Sequence, residues 1–195
     1  MALCLTLALS ACSSVPLTSA WKLRNVNPIE ADPALFKIAV ITNELIQLQT
    51  GSTSIGLGYT AEDPKHSFNT IVEATVKPNA IEAQLGQYLK SHEHITLFTL
   101  NEEATRQLRI AQNRIKTIKD KDIDGKGNLA VSINTACMDG PKPETVNANI
   151  FVMFDPSQGF VKLVSNLDLL KASKSNKQSF WVECEKAKGL PLNKR

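Results

Sequence analysis

Several stretches of the chain alternate apolar and polar side chains with a period of two, the signature of strands with one buried face. In Phe36 to Thr42 the residues Phe36, Ile38 and Val40 share a face. In Ser67 to Lys77, Phe68, Thr70, Val72, Ala74 and Val76 point one way, and Asn69, Glu73 and Lys77 the other. Val146 to Phe154 alternates strictly, and Asp155-Pro-Ser-Gln-Gly159 after it predicts a hairpin turn into Phe160 to Val164. Asn128 to Cys137 places Leu129, Val131, Ile133, Thr135 and Cys137 on one side. Ile95 to Leu100 and Ser179 to Glu185 predict two shorter strands, the second with Phe180, Val182 and Cys184 on one face. Gly51 to Pro64, with Gly51, Gly56 and Gly58 among Ser and Thr, reads as a long turn-rich connection.

One stretch has the helical period. Ala104, Leu108, Ala111, Ile115 and Ile118 recur at spacings of four and three, so a helix is predicted over about 102–119. Asn101 is placed to cap it, with Glu102 and Glu103 in the first turn where the helix dipole favours anions. A short helix is predicted within Ala80 to Lys90, and one helical turn within Leu167 to Ala172. Strands, one long helix, then strands joined by short turns predict an α+β domain. Its form is an antiparallel sheet or sandwich of about six to eight strands with that helix packed on it. The regular strand–helix alternation of a doubly wound sheet is missing.

The 195 residues suit one domain able to bury its own core, and 43% apolar with 21% charged residues is a globular composition. A net charge of +3 is too mild for a dedicated nucleic-acid binder. No apolar run reaches the ~20 residues of a spanning helix.

Met1 to Ala20 holds no Asp, Glu, Lys or Arg, and Ala2 to Ala11 is a short apolar stretch ending in Leu9-Ser10-Ala11-Cys12. This resembles the signal peptide and lipobox of bacterial lipoproteins. The resemblance implies cleavage before Cys12, with a diacylglyceryl group on its thiol and acylation of its amine. Ser13, where Asp would be the retention signal, implies sorting to the outer membrane with the domain facing the periplasm. Such signals normally open with Lys or Arg, which this stretch lacks; a translation start upstream of Met1 is one reading of that departure. The implied organisation is a signal peptide at 1–11, a lipidated tether and lead-in at 12–34, and a single periplasmic α+β domain at 35–195.

With Cys4 leaving in the signal and Cys12 lipidated, two cysteines remain, Cys137 and Cys184, each on the apolar side of a predicted strand. An oxidising compartment favours a disulfide between them. The alternatives are two buried thiols or a metal pair.

Asp120-Lys-Asp122-Ile-Asp124-Gly125 matches the first half of an EF-hand loop, so Asp120, Asp122 and Asp124 are candidate calcium ligands. The second half does not follow: Val131 stands at the twelfth position in place of the bidentate Glu, and a predicted strand replaces the second helix. An ordinary helix-to-strand turn uses the same residues. His92 and His94 flank Glu93 and would share a face of an extended segment, as metal ligands do or as surface histidines do. Gly56-Leu-Gly58 superficially matches a dinucleotide fingerprint, but Asp63-Pro64 follows where a helix is required. Basic residues gather on the long helix (Arg106, Arg109, Arg114, Lys116, Lys119, Lys121) and at Lys171, Lys174 and Lys177. They suit an anionic membrane surface or a solvated face. No nucleophile elbow, P-loop or HExxH zinc motif occurs.

These features predict a non-enzymatic envelope lipoprotein. It would be anchored in the membrane through lipid and would bind another envelope protein or serve in assembly, without cofactor or nucleic acid. Two alternatives stand beside it: a ligand-binding or transport-accessory lipoprotein for lipid or cell-wall material, and a calcium-dependent module.

Overall fold

The computed structural model describes residues 27–78, 80, 82–140, 144–171 and 180–184. Within them the chain forms β1 (Lys37–Asn43), β2 (Ile46–Gln47), β3 (Thr53–Ala61), β4 (Phe68–Glu73), β5 (Thr75–Val76), β6 (Glu93–Thr99), the helix α1 (Glu102–Asp120), β7 (Gly125–Ile133), β8 (Ala136–Met138), β9 (Asn147–Met153), β10 (Val161–Asp168) and β11 (Trp181–Val182). The fold is α+β. A five-stranded sheet runs in the order β10-β9-β1-β6-β5, and two three-stranded sheets run β4-β3-β7 and β11-β8-β2. Pairing is antiparallel throughout except β11 with β8, which is parallel.

β1 sits at the centre of the large sheet and is buried on both faces. Phe36, Ile38 and Val40 enter the main core, while Ala39 and Ile41 enter a second cluster behind the sheet with Leu85, Leu97 and Phe151. The 3₁₀ turn Ala83–Tyr88 supplies Leu85 to that rear cluster. The main core gathers three surfaces. One is the front of the large sheet (Ile38, Val40, Phe98, Ile150, Val152), another the buried stripe of α1, and the third the inner face of β3 (Ile55, Leu57, Tyr59). Val146, Ala148, Ile150, Val152 and Phe154, the alternating set of β9, all reach it.

α1 forms where its periodicity places it. Asn101 Oδ1 accepts from the Ala104 N–H at 2.8 Å, and Ala104, Leu108, Ala111, Ile115 and Ile118 are all buried.

The described residues hold seven strands of six residues or more, as the alternating pattern predicts, and four pieces of two or three residues, β2, β5, β8 and β11. The long pieces break where the ladder changes partner: β7 stops at Ile133 in one sheet and β8 starts at Ala136 in another. Gly51 to Pro64 is not a turn-rich connection, since Thr53–Ala61 forms the central strand of its sheet. Gly51 does serve a turn (φ 84°), but Gly58 serves close approach. A Cβ on Gly58 would stand 2.5 Å from the Phe68 carbonyl oxygen on the neighbouring strand. The helix predicted within Ala80 to Lys90 is a 3₁₀ turn, and the last strand contracts to Trp181–Val182.

Candidate functional site

Cys12 and the whole signal-like segment lie outside the described residues, as do Lys174 and Lys177. Cys137 and Cys184 form a disulfide with Cα atoms 5.0 Å apart. Cys137 is fully buried in β8, and the bridge lies beside the parallel pairing of Trp181 with Ala136 and of Val182 with Cys137. The final described segment is thus tied to the body both covalently and through its backbone.

The Asp-rich segment has a detailed geometry. Asp120 ends α1, and Asp122 takes the left-handed conformation (φ 51°). The Ile123 N–H reaches back to Ile118 O at 3.3 Å and the Asp122 N–H to Lys119 O at 3.0 Å. This is a Schellman helix terminus, completed by the apolar contact expected of it: Ile118 is buried and Ile123 packs against the same core. Gly125 then opens β7 pressed against β3. A Cβ there would stand 2.5 Å from Thr60 O and 2.5 Å from Tyr59 Cε1. Tyr59 donates its hydroxyl hydrogen to Ile123 O at 2.9 Å. The spacing of Asp and Gly therefore has a complete local explanation as a helix stop and a strand start. Among the described residues no three His, Cys, Asp or Glu side chains converge as a metal-binding group.

His92 and His94 do not act as a pair. His92 has φ 64° and its Nδ1 lies 3.0 Å from Glu44 Oε1 at the surface. His94 is half-buried in β6, its Nε2 3.3 Å from Thr96 Oγ1. Burial pushes its imidazole below the ordinary value of 6.5, with the Glu44 carboxylate pulling the other way. His66 sits apart, in the 3₁₀ turn Pro64–His66. Thr42, the cross-strand neighbour of His94, is fully buried with no hydrogen-bond partner for its hydroxyl. Beside His94 an open depression of about 350 Å³ runs past Gln47, Lys77 and Thr96.

The basic residues of α1 are largely committed within the fold. Arg106 pairs with Glu103 at 2.6 Å, Arg109 with Asp32 at 2.7 Å, and Lys116 with Glu30 at 2.7 Å. The Arg114 guanidinium stacks 4.2 Å from the centre of the Phe68 ring. The hydrogen bond from Arg109, followed by that from the Ala34 N–H, holds the Asp32 carboxyl below its usual range. Farther along, Lys171 lies 3.4 Å from Asp168.

Gln112 escaped the sequence reading. It is buried on α1, and its Nε2 donates to Pro28 O at 2.7 Å and to Ala31 O at 2.8 Å. One polar side chain on the apolar stripe thereby seats the lead-in on the helix. Its one sequence signal was a Gln beside Ala111, at the edge of the stripe.

Other hollows lie among the described residues. One of about 350 Å³ lies between the Ala83–Tyr88 turn and the Pro156–Phe160 hairpin, and is mostly polar in lining. One of about 230 Å³ lies where Pro28 and Ile29 cross Leu57, Gly127 and Leu129. No helix among the described residues is long and apolar enough to cross a membrane. Comparison with protein-family models, with curated proteins and with solved structures finds no match for this chain.

Proposed function

We propose that this chain is an envelope lipoprotein. Acyl chains on Cys12 hold it at the outer membrane, and its periplasm-facing domain is a non-enzymatic module for binding or assembling another envelope protein. The observation that carries the reading is Leu9-Ser10-Ala11-Cys12 at the end of an uncharged apolar stretch. Each buried CH₂ contributes about 0.8 kcal/mol, so two or three acyl chains anchor durably where one does not. The bridged pair Cys137–Cys184 supports an oxidising compartment.

The test is fractionation of cells expressing the full chain and its Cys12→Ser variant. Release of the variant from membranes, with a diacylated Cys12 found by mass spectrometry of the wild type, is the expected result. An unmodified amino terminus, or unchanged membrane association of the variant, overturns it.

A second reading, a ligand-binding or transport-accessory lipoprotein, draws on the depression beside His94. Its volume of about 350 Å³ falls at the lower end of small-molecule sites. Saturable binding of a lipid or cell-wall fragment, lost on filling that depression, would favour it.

A further inference from the structure

The free edges of the three sheets differ in kind. β2, β5 and β11 are two residues long. β10 is broken by two register shifts and carries Asn166 at φ 51°. β4 has α1 packed against it, with Arg114 over Phe68. These are ordinary ways of blunting an edge. Among the described residues β7 has none of them. It ends its sheet, pairs with β3 in unbroken register from Gly125 to Ile133, and runs from Gly127 to Ile133 without charge or proline.

The hydrogen-bond phase of that edge follows from its two ends. Asn134 N–H donates to Ser52 O at 2.7 Å, and Glu62 N–H to Asp124 O at 3.4 Å. Even-numbered residues of β7 therefore turn their backbone groups to β3. Gly127, Leu129, Val131 and Ile133 turn theirs outward. No hydrogen bond reaches those outward groups among the described residues.

We propose that β7 pairs antiparallel with β7 of a second copy of this chain, about a twofold axis at Ala130, joining two three-stranded sheets into one. The strand is self-complementary in this register. Leu129 stands opposite Val131 and Gly127 opposite Ile133, and these are the residues whose backbone groups face outward, so each couple exchanges a pair of hydrogen bonds. Their side chains lie on the inner face, where Leu129, Val131 and Ile133 are only half-buried in one copy. Gly127 leaves room for the opposing Ile133, beside Ile29, which approaches Gly127 on that same face. On the outer face Ala130 meets Ala130 and Asn128 meets Ser132, all small. Lys126 falls opposite Asn134, so no like charges meet. A closed pairing of identical edges also ends the aggregation hazard that an open edge presents.

The test uses the full-length protein solubilised in detergent. In a non-hydrogen-bonded antiparallel pair the Cα atoms lie about 4.5 Å apart, within disulfide range. An Ala130→Cys variant is therefore expected to form a covalent dimer under mild oxidation that the wild type does not. Ala130→Lys sets two ammonium groups face to face on the axis. It is expected to halve the protein mass measured by light scattering. A monomeric wild type, or a dimer that survives Ala130→Lys while Ala130→Cys gives no cross-link, overturns the proposal. Where the two variants disagree, or Ala130→Lys does not fold, the cross-link decides. Capture of β7 by a strand of another protein would appear as a wild-type monomer with protected Leu129 and Val131 amides in hydrogen exchange, and also counts against it. The pairing needs neither anchor nor compartment, so a Cys12→Ser chain keeps the dimer, and the two proposals fail separately.

Discussion

Single residues decide where this chain turns and how closely its strands approach. Asp122 occupies the left-handed terminus position that glycine fills at least cost. Asp122→Gly is therefore expected to raise stability by about 0.5–1 kcal/mol in urea unfolding. A calcium loop predicts something different, a melting temperature raised by calcium in the wild type and not in the variant. Gly58 and Gly125 are the opposite case. Each meets neighbouring atoms at 2.5 Å if given a Cβ. Gly58→Ala should cost at least the ~1–3 kcal/mol of an overpacked core, more than the ~1 kcal/mol expected for Asn101→Ala at the helix cap. Equal losses in the two variants would mean that β3 and β4 are less tightly paired than described.

His94 sets a pH dependence at the same scale. Its folded pKa lies below the ordinary value of 6.5 because burial disfavours the cation. The unfolded chain then binds the extra proton first, so stability is full above about 6.5 and is lost as pH falls through the folded value. A His94→Gln variant should unfold with a flatter dependence on pH below neutrality. An unchanged slope would assign the effect to other groups.

At the scale of elements, patterns with a strong period were legible and patterns interrupted by glycine were not. The spacing of Ala104 to Ile118 located α1 to within one residue of its observed Glu102–Asp120 span. The alternation of Val146 to Phe154 located β9 and its buried face. Between Gly51 and Pro64 the same alternation was present in Ile55, Leu57, Tyr59 and Ala61, every one of them buried. Gly56 and Gly58 occupied the alternate positions and carried the appearance of a turn. Gly58 is needed because the flanking strands β4 and β7 both approach it, at Phe68 O and Asn128 Oδ1, whereas Gly56 has ordinary room for a Cβ. Gln112 belongs to this scale as well, because it joins the lead-in to α1 through two carbonyls. Gln112→Ala strands both acceptors and is expected to cost about 1–3 kcal/mol, with faster proteolysis near Pro28 as a local readout. A change within experimental error would show that the lead-in is held by its apolar contacts alone.

Across the whole molecule, the Cys137–Cys184 bridge spans 47 residues and joins β8 to the last described segment. Closing a loop of that length stabilises by about 4 kcal/mol in the chain-entropy model. Reduction, or Cys184→Ser, should lower the stability by that order and loosen the Phe180–Val182 segment first in hydrogen exchange. Loss of the whole fold at once would mean that this segment is integral to the main core, through Phe180.

The sequence by itself determined the class of the fold, the long helix and its cap, and the buried faces of the strongly alternating strands. All of these follow from local periodicity or from residue type. Only the tertiary structure decided which strands share a sheet, why Gly58 and Gly125 cannot carry a side chain, and that the Asp-rich turn is a helix terminus. It also decided that β7 ends its sheet with an edge open among the described residues. Each of these depends on distances between residues far apart in the chain, and a one-dimensional pattern contains no such distances.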